Sequence, residues 1–301
     1  MIRVTVPATS ANLGPGFDCI GMALDISNII EVEEYGAGGL HIELLEGENS
    51  SIPMDDSNLI YRSMLSLFDT VGYRPKGIRI RQINNIPMAM GLGSSAACIA
   101  GGIVAANHIA GNPLTFQELI DLSSNLDGHP DNVLPALVGG IAVGCIQDKR
   151  VYYSKINAPK DMCLALITPK YKLLTVKARS VLPEKISLED SVFNVSRASL
   201  LVASLLNGNI DNLSIAMDDR MHQPYRKGLI PGFDFIREKA IECGGKGSFL
   251  SGAGPIIIAM VHHKDKCTFE AKMQRWLLEL EDSWTLRWAN INDEGIKTTI
   301  Y

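Results

Sequence analysis

The stretch that most constrains this chain is Pro87-Met-Ala-Met-Gly-Leu-Gly-Ser-Ser-Ala-Ala-Cys98. Residues 77–83 lead into it with Ile78, Ile80 and Ile83 set against Arg79 and Arg81, the alternation of a half-buried strand. Gly91 and Gly93 then give the backbone freedom a loop needs to close around a ligand. A small-residue apolar helix is predicted from residue 96 to about 109. Strand, glycine loop and helix in that order make a phosphate cradle, because the unpaired N–H groups at a helix start carry partial positive charge. Ser94 and Ser95 add hydroxyls suited to phosphate oxygens or a hydrated Mg2+. The segment is not Walker A, since Gly-Lys-[Ser/Thr] occurs nowhere, nor a GxGxxG fingerprint, since Ala96 holds the third position. The same residues also fit a turn and cap that open a buried Ala-rich helix. Local chemistry leaves both readings open.

The length of 301 residues sets a prior of about two domains. With 46 % hydrophobic and 20 % charged residues, the chain has the composition of a well-cored globular protein. A net charge of −5 without a basic block argues against a nucleic-acid surface, so an anionic ligand must be met by local groups. Six scattered cysteines, no CxxC pair and no signal peptide read as reduced thiols in a cytoplasmic protein. The longest apolar run, residues 96–106, is too short and too rich in Gly and Ala to span a membrane. The sequon Asn49-Ser-Ser carries no meaning in such a compartment.

Residues 2–6 alternate as a strand that should stop at Pro7, and residues 8–18 read as a turn-rich loop. Strands at 26–35 and 40–45 are expected to form a hairpin across Gly36-Ala-Gly-Gly39. Residues 58–71 have helical spacing with Gly72 as the stop, and Thr115-Phe-Gln-Glu118 is a capping box opening a second helix. Strands follow at 141–146, 151–156 and 162–168, the last apolar enough to be central. Asn157-Ala-Pro-Lys-Asp161 is the expected boundary between domains 1–157 and 158–301. The second half is richer in helices, and the irregular mixture with hairpins indicates α+β rather than a doubly wound sheet.

Three stretches stand in order: Pro7-Ala-Thr-Ser-Ala-Asn-Leu-Gly-Pro-Gly-Phe-Asp18, the segment from Pro87 to Ala97, and Ser248-Phe-Leu-Ser-Gly-Ala-Gly-Pro255. Together they resemble the three motifs of the GHMP kinases, the family of galacto-, homoserine, mevalonate and phosphomevalonate kinases. The first is similar to the homoserine kinase branch, whereas sugar and mevalonate members carry a Gly-Glu-His-like sequence there. His129-Pro-Asp-Asn132, Thr175-Val-Lys-Ala-Arg179 and Pro224-Tyr-Arg226 are similar to further patterns of that branch. The resemblance runs from about residue 2 to the C-terminus. It implies a two-domain α+β fold, with a first half like the second domain of ribosomal protein S5 and a ferredoxin-like α/β second half.

The resemblance implies transfer of the γ-phosphoryl group of ATP to the side-chain hydroxyl of L-homoserine, a step of threonine biosynthesis. The ATP loop would be Pro87, Met88, Ala89, Met90, Gly91, Leu92, Gly93, Ser94, Ser95, Ala96 and Ala97. Mg2+ would meet Ser95 and a carboxylate. Asp127 stands where many relatives have Glu, and Asp121 on the preceding helix is the alternative. Asp18, helped by Asn12, would take the substrate ammonium, and Arg179 and Arg226 its carboxylate, for which guanidinium is suited. His129 and Thr175 would line the pocket, while Asn132 would orient the reacting hydroxyl and act in catalysis with Ser95. Ser251, Gly252, Ala253 and Gly254 would form a turn supporting the phosphate loop. No general base is evident: the first motif has no Lys, and Asp131 is conceivable but not favoured. Asn58 and Asn84-Asn85 are candidates for the nucleoside pocket. A homodimer is the family expectation, with no nucleic-acid or membrane partner. The rival readings are another GHMP kinase with a different small alcohol, and a catalytically silent sensor.

Overall fold

The computed structural model describes residues 1–36, 38–47 and 52–301. β1 (Ile2–Asn12) and β2 (Gly16–Glu34) form a long antiparallel hairpin. β3 (Gly39–Gly47), α1 (Leu59–Val71) and β4 (Gly77–Asn84) follow, β4 pairing antiparallel with β2 and parallel with β3. Next come α2 (Ser94–Ile109), α3 (Phe116–Asp127) and α4 (Pro130–Val138). β5 (Ile141–Gln147) and β6 (Arg150–Ile156) then extend the sheet from the other end of β2.

The second half begins with β7 (Met162–Pro169), α5 (Thr175–Ser180), α6 (Leu188–Asn207), α7 (Leu213–Ala216), α8 (Gln223–Arg226) and α9 (Phe233–Glu242). It continues with β8 (Gly247–Leu250), β9 (Ile257–His262), α10 (Lys266–Leu277) and β10 (Trp284–Ala289). These strands make an antiparallel sheet in the order β10-β7-β9-β8. The last strand, β11 (Lys297–Ile300), crosses back to pair with β1 in the first sheet.

β7 occupies an inner position, as its apolar run predicts. Met162, Leu164 and Leu166 face one core, and Cys163, Ala165 and Ile167 the other, so both faces of the strand are covered. The period of two along a strand makes that division. Between its first and last turns α2 is buried on nearly every side and correspondingly apolar, the pattern of a core helix rather than a surface one. Among the described residues no helix is long and apolar enough to cross a membrane.

Three local expectations are corrected. Residues 8–18 are not one loop, since only residues 13–15 separate β1 from β2. Pro7 does not end the first strand: β1 continues to Asn12, with a register shift between Pro7 and Thr9. Such an irregularity is where a strand tolerates the missing N–H of proline. The strands at 26–35 and 40–45 do not form a hairpin, because β4 lies between β2 and β3. Residue 37 of the expected turn and the sequon at 49–51 lie outside the described residues.

Candidate active site

The glycine loop is held by backbone that approaches too closely for side chains. Gly91 has φ +82°, and a Cβ there would collide with the Ser251 carbonyl. Gly93 has φ +65°, and a Cβ there would collide with the Thr9 hydroxyl and lie 3.1 Å from Asn132 Oδ1. Thr9 N–H donates to the Leu92 carbonyl at 3.1 Å, and Leu173 N–H to the Ala89 carbonyl at 3.0 Å. Ser251 Oγ donates to the Gly91 carbonyl at 2.6 Å. Its single proton is thereby used, so Ser10 Oγ is the donor in the 2.8 Å Ser10–Ser251 bond. Asn12 Nδ2 donates to the Gly252 carbonyl at 3.1 Å. The end of β1, the glycine loop and the 251–254 turn are thus one stitched unit.

α2 begins at Ser94 with Gly93 as its N-cap, and no side chain makes the capping bond. Ser94 and Ser95 are therefore in the first turn, not at the cap. Both line a cavity of about 370 Å³, and Ser95 is exposed. From the loop, Pro87, Ala89, Gly91, Leu92, Gly93 and Ala96 line it as well. Met88, Met90 and Ala97 do not; Met90 and Ala97 are buried in the core.

Asn12, Asp18, Asp127, His129, Asn132, Thr175, Arg179 and Arg226 all meet in this cavity, with Asp131, Gly252 and Ala253. Residues from six separate stretches of the chain converge there. Arg179 pairs with Asp18 through Nη2–Oδ1 at 2.8 Å and Nη1–Oδ2 at 3.2 Å. Asn12 Oδ1 accepts the Asp18 N–H at 3.0 Å, so both ends of the Asn12 amide are engaged and fix Asp18. Arg226 is 2 % exposed, and it donates from Nε to the Ala178 carbonyl and from Nη1 to the Gly252 carbonyl. Burial, then the neighbouring Arg179 charge, lowers its pKa to about 10, which leaves it charged at neutral pH. Ser251 and Gly254 stay behind the cavity wall as support.

At the start of α4, Thr9 Oγ1 donates to Asn132 Oδ1 at 2.9 Å. That bond fixes the amide so that Nδ2 is its presenting end, with one long 3.4 Å contact to Asp131 Oδ1. His129 Nδ1 lies 2.6 Å from the same Asp131 oxygen, and this hydrogen bond raises the His129 pKa. Asp127 is pushed up to about 6, chiefly by burial, against the pull of His129. Asp121 does not line the cavity: its Oδ1 accepts from Gln117 Nε2 and from the Val151 N–H, both at 2.8 Å, joining α3 to β6. Asn58 is likewise engaged elsewhere, as the N-cap of α1. Asn85 Nδ2 donates to the Ser27 carbonyl.

Sequence reasoning missed Thr9 and Phe17, both inside the N-terminal motif, and gave Asp131 no structural task. It also missed His222 and Asp219, which hold the segment before Arg226. For His222 the signal is its place four residues before Arg226, where the two side chains share one face of a helical turn.

Comparison with known proteins gives a consistent picture. Residues 58–140 match the family model for the GHMP kinases N-terminal domain, and residues 201–275 that for the GHMP kinases C-terminal domain. A homoserine kinase from Petrotoga mobilis is 47 % identical over 297 residues, covering 99 % of this chain and 96 % of the relative. One from Caldicellulosiruptor saccharolyticus is 46 % identical, covering 98 % and 96 %. The crystal structure of homoserine kinase from Cytophaga hutchinsonii superposes with a TM-score of 0.89 at 29 % identity, covering 99 % of this chain and 97 % of that one.

Proposed function

The chain belongs to the GHMP kinase family, and on that premise we propose that it is a homoserine kinase: its cavity passes the γ-phosphoryl group of ATP to the side-chain hydroxyl of L-homoserine, forming O-phospho-L-homoserine for threonine biosynthesis. One observation carries this reading. A single cavity is lined by the glycine loop, by the carboxylates of Asp18, Asp127 and Asp131 and by the guanidinium groups of Arg179 and Arg226, around Asn132.

Phosphoryl transfer asks mainly for positioning and charge stabilisation. The N–H groups at the start of α2, with Ser94, receive the phosphates. Mg2+ takes hard oxygen ligands, and two fit: the exposed Ser95 hydroxyl, and the carboxylate of Asp127, which lies 3.8 Å from the His129 ring and, among the described residues, forms no ion pair with Lys or Arg. The cluster of Asp18, His129 and Asp131 suits the ion less well, since it includes an imidazole and an aspartate already paired with Arg179. Ser95 and Asp127 would hold Mg2+, which when bound neutralises charge on the transferring phosphates.

Asp18 receives the ammonium, and Arg179 and Arg226 the carboxylate, with His129 and Thr175 lining the same space. Asn132, its oxygen held by Thr9, turns its Nδ2 amide hydrogens toward the reacting hydroxyl. Asp131 is engaged by His129 and almost fully buried, which supports catalysis without a strong protein base. The hydroxyl proton then leaves late, to the γ-phosphate or to water. Ser95, Asp18 and Asn132 all line the one cavity, which supports an active enzyme over the silent-sensor reading.

A coupled ADP-release assay with Mg-ATP across homoserine, serine, threonine and mevalonate tests the proposal. Turnover highest with homoserine is expected; turnover with mevalonate and none with homoserine would replace it with another member activity. The proposal extends to a cytoplasmic homodimer. The six cysteines are free, and α6 exposes Leu188, Val192 and Val195 along one face for a second copy to cover. Sedimentation of the purified chain at the dimer mass is the expected result.

A further inference from the structure

The buried imidazole of His222 completes the cavity without lining it. Resting on the reading above, that Arg226 receives the substrate carboxylate, we propose that His222 is a positioning residue for that carboxylate: it fixes the Arg226 guanidinium so that Nη2 alone is presented to substrate.

His222 precedes α8 and is 0 % exposed. Its Nε2 lies 2.8 Å from the Gly14 carbonyl in the β1–β2 turn. A carbonyl only accepts, so Nε2 carries the proton and Nδ1 is a bare acceptor. Arg226 Nη1 sits 3.2 Å from Nδ1, and guanidinium only donates, so the two assignments agree. The backbone that aims the ring is fixed in turn. Asp219 accepts the N–H groups of Met221, His222 and Gln223 at 2.8, 2.9 and 2.6 Å, and Asn194 Nδ2 donates to it at 2.7 Å. The Phe17 ring stacks on His222 at 5.3 Å and 25°, and the Arg226 guanidinium carbon lies 5.4 Å from the same ring.

Every Arg226 donor except those on Nη2 is thereby assigned: Nε to Ala178, and Nη1 to Gly252 and to His222. Among the described residues no carboxylate lies within 4.0 Å of this guanidinium, although it is 2 % exposed. The Arg179 charge adds to the cost of burying this cation, and the carboxylates of Asp18, Asp219 and Asp131 offset it only from beyond that distance, so an arriving anion is favoured. With Nη1 held by a neutral ring rather than by an aspartate, the positive charge stays available to the ligand. His222 therefore supplies direction without neutralisation.

The two imidazole nitrogens can be kept separately. His222→Asn places an amide oxygen near the Nδ1 position and retains an acceptor for Arg226. His222→Gln places an amide nitrogen near the Nε2 position and retains the donor for Gly14. The expected result is a homoserine KM about ten-fold higher for His222→Gln and within about three-fold of wild type for His222→Asn, with kcat and the ATP KM little changed in both. Homoserine amide, which lacks the carboxylate, should show no difference between His222→Gln and wild type. Equal homoserine KM in the two variants, or parallel rises for homoserine and its amide, would overturn the proposal.

A second measurement needs no variant. The imidazole nitrogen-15 shifts of wild-type His222 should report a neutral ring protonated at Nε2, before and after homoserine is added. A ring protonated at Nδ1 would overturn the proposal even if both variants failed to fold. Failure of the wild type to phosphorylate homoserine is a different outcome. It would remove the substrate reading, and with it the carboxylate that His222 is said to serve.

Discussion

Arg179 grips Asp18 through two hydrogen bonds, at 2.8 and 3.2 Å, so the two groups assigned to opposite ends of the substrate hold each other across the cavity. Each side chain is about one-third exposed, at 38 % and 31 %, so the pair is solvent-screened and can be opened. A zwitterion can enter by exchange, its ammonium replacing Arg179 at Asp18 and its carboxylate replacing Asp18 at Arg179. A ligand with one of the two charges breaks the pair and restores half of it.

The exchange makes the two charges interdependent. Asp18→Asn and Arg179→Gln should each raise the homoserine KM by about 10²-fold, the scale of removing one member of a close charge pair. Each single variant also frees the remaining partner. The double variant should therefore fall short of the product of the singles in a double-mutant cycle on kcat/KM. Strict additivity would mean that the pair has no part in substrate entry.

Asn132→Ala should lower kcat by roughly 10²–10³-fold while homoserine affinity holds, the loss expected for one transition-state donor. Thr9→Val leaves the amide in place and removes only the 2.9 Å bond that orients it. It should show a smaller fall in kcat, restored by Thr9→Ser. Steady-state kinetics on the three variants check both statements, and an unchanged kcat for Asn132→Ala would remove its role.

Asp127 gives a pH signature. Its folded pKa, about 6, lies above the ordinary carboxylate value, so the folded state binds the proton more tightly than the unfolded chain. A carboxylate raised in this way destabilises the fold as pH climbs from about 4 through 6, and the deficit is complete above that. Without Mg2+, Asp127→Asn should therefore melt higher than wild type at pH 8, by an amount equivalent to at most about 3 kcal/mol. The difference should vanish near pH 4. The same variant should need more Mg2+ for activity, whereas Asp121→Asn should leave the Mg2+ requirement unchanged.

Gly91→Ala should weaken ATP binding and lower the melting temperature together. A left-handed backbone costs a non-glycine residue about 1–2 kcal/mol, and here the added methyl also meets the Ser251 carbonyl. Thermal melts and the ATP KM check the pair of effects. An unchanged ATP KM would show that the loop is not the phosphate cradle.

Much of the candidate site is legible because it is written in contiguous motifs. The glycine loop, His129-Pro-Asp-Asn132 and the two arginines were all readable, and the cavity collects them. Contacts between motifs were not. Nothing in the order of residues says that Asp18 meets Arg179, 161 positions away, or that Thr9 holds Asn132 across 123 positions. The two metal candidates Asp127 and Asp121 are equally acidic in sequence. They separate in the fold: Asp127 lines the cavity, whereas Asp121 lies outside it, its Oδ1 taken by Gln117 Nε2 and by the Val151 N–H of a neighbouring strand.

Local signals give way where tertiary pairing overrides them. Pro7 looked like a stop, yet β2 provides a register shift that carries the strand past it. The 26–35 and 40–45 strands looked like a hairpin, yet β4 inserts between them, a choice made by a segment more than thirty residues downstream. By contrast, β7 was readable as an inner strand, because burial on both faces leaves an uninterrupted apolar run.

The most direct measurement is phosphorus-31 NMR of the purified protein with Mg-ATP and L-homoserine. The expected result is one new phosphomonoester resonance growing in step with ADP, slowed roughly 10²–10³-fold in Asn132→Ala and, at homoserine well below KM, about 10²-fold in Arg179→Gln. ADP accompanied only by inorganic phosphate, or no ADP with homoserine present, would contradict the assignment of this cavity to homoserine phosphorylation.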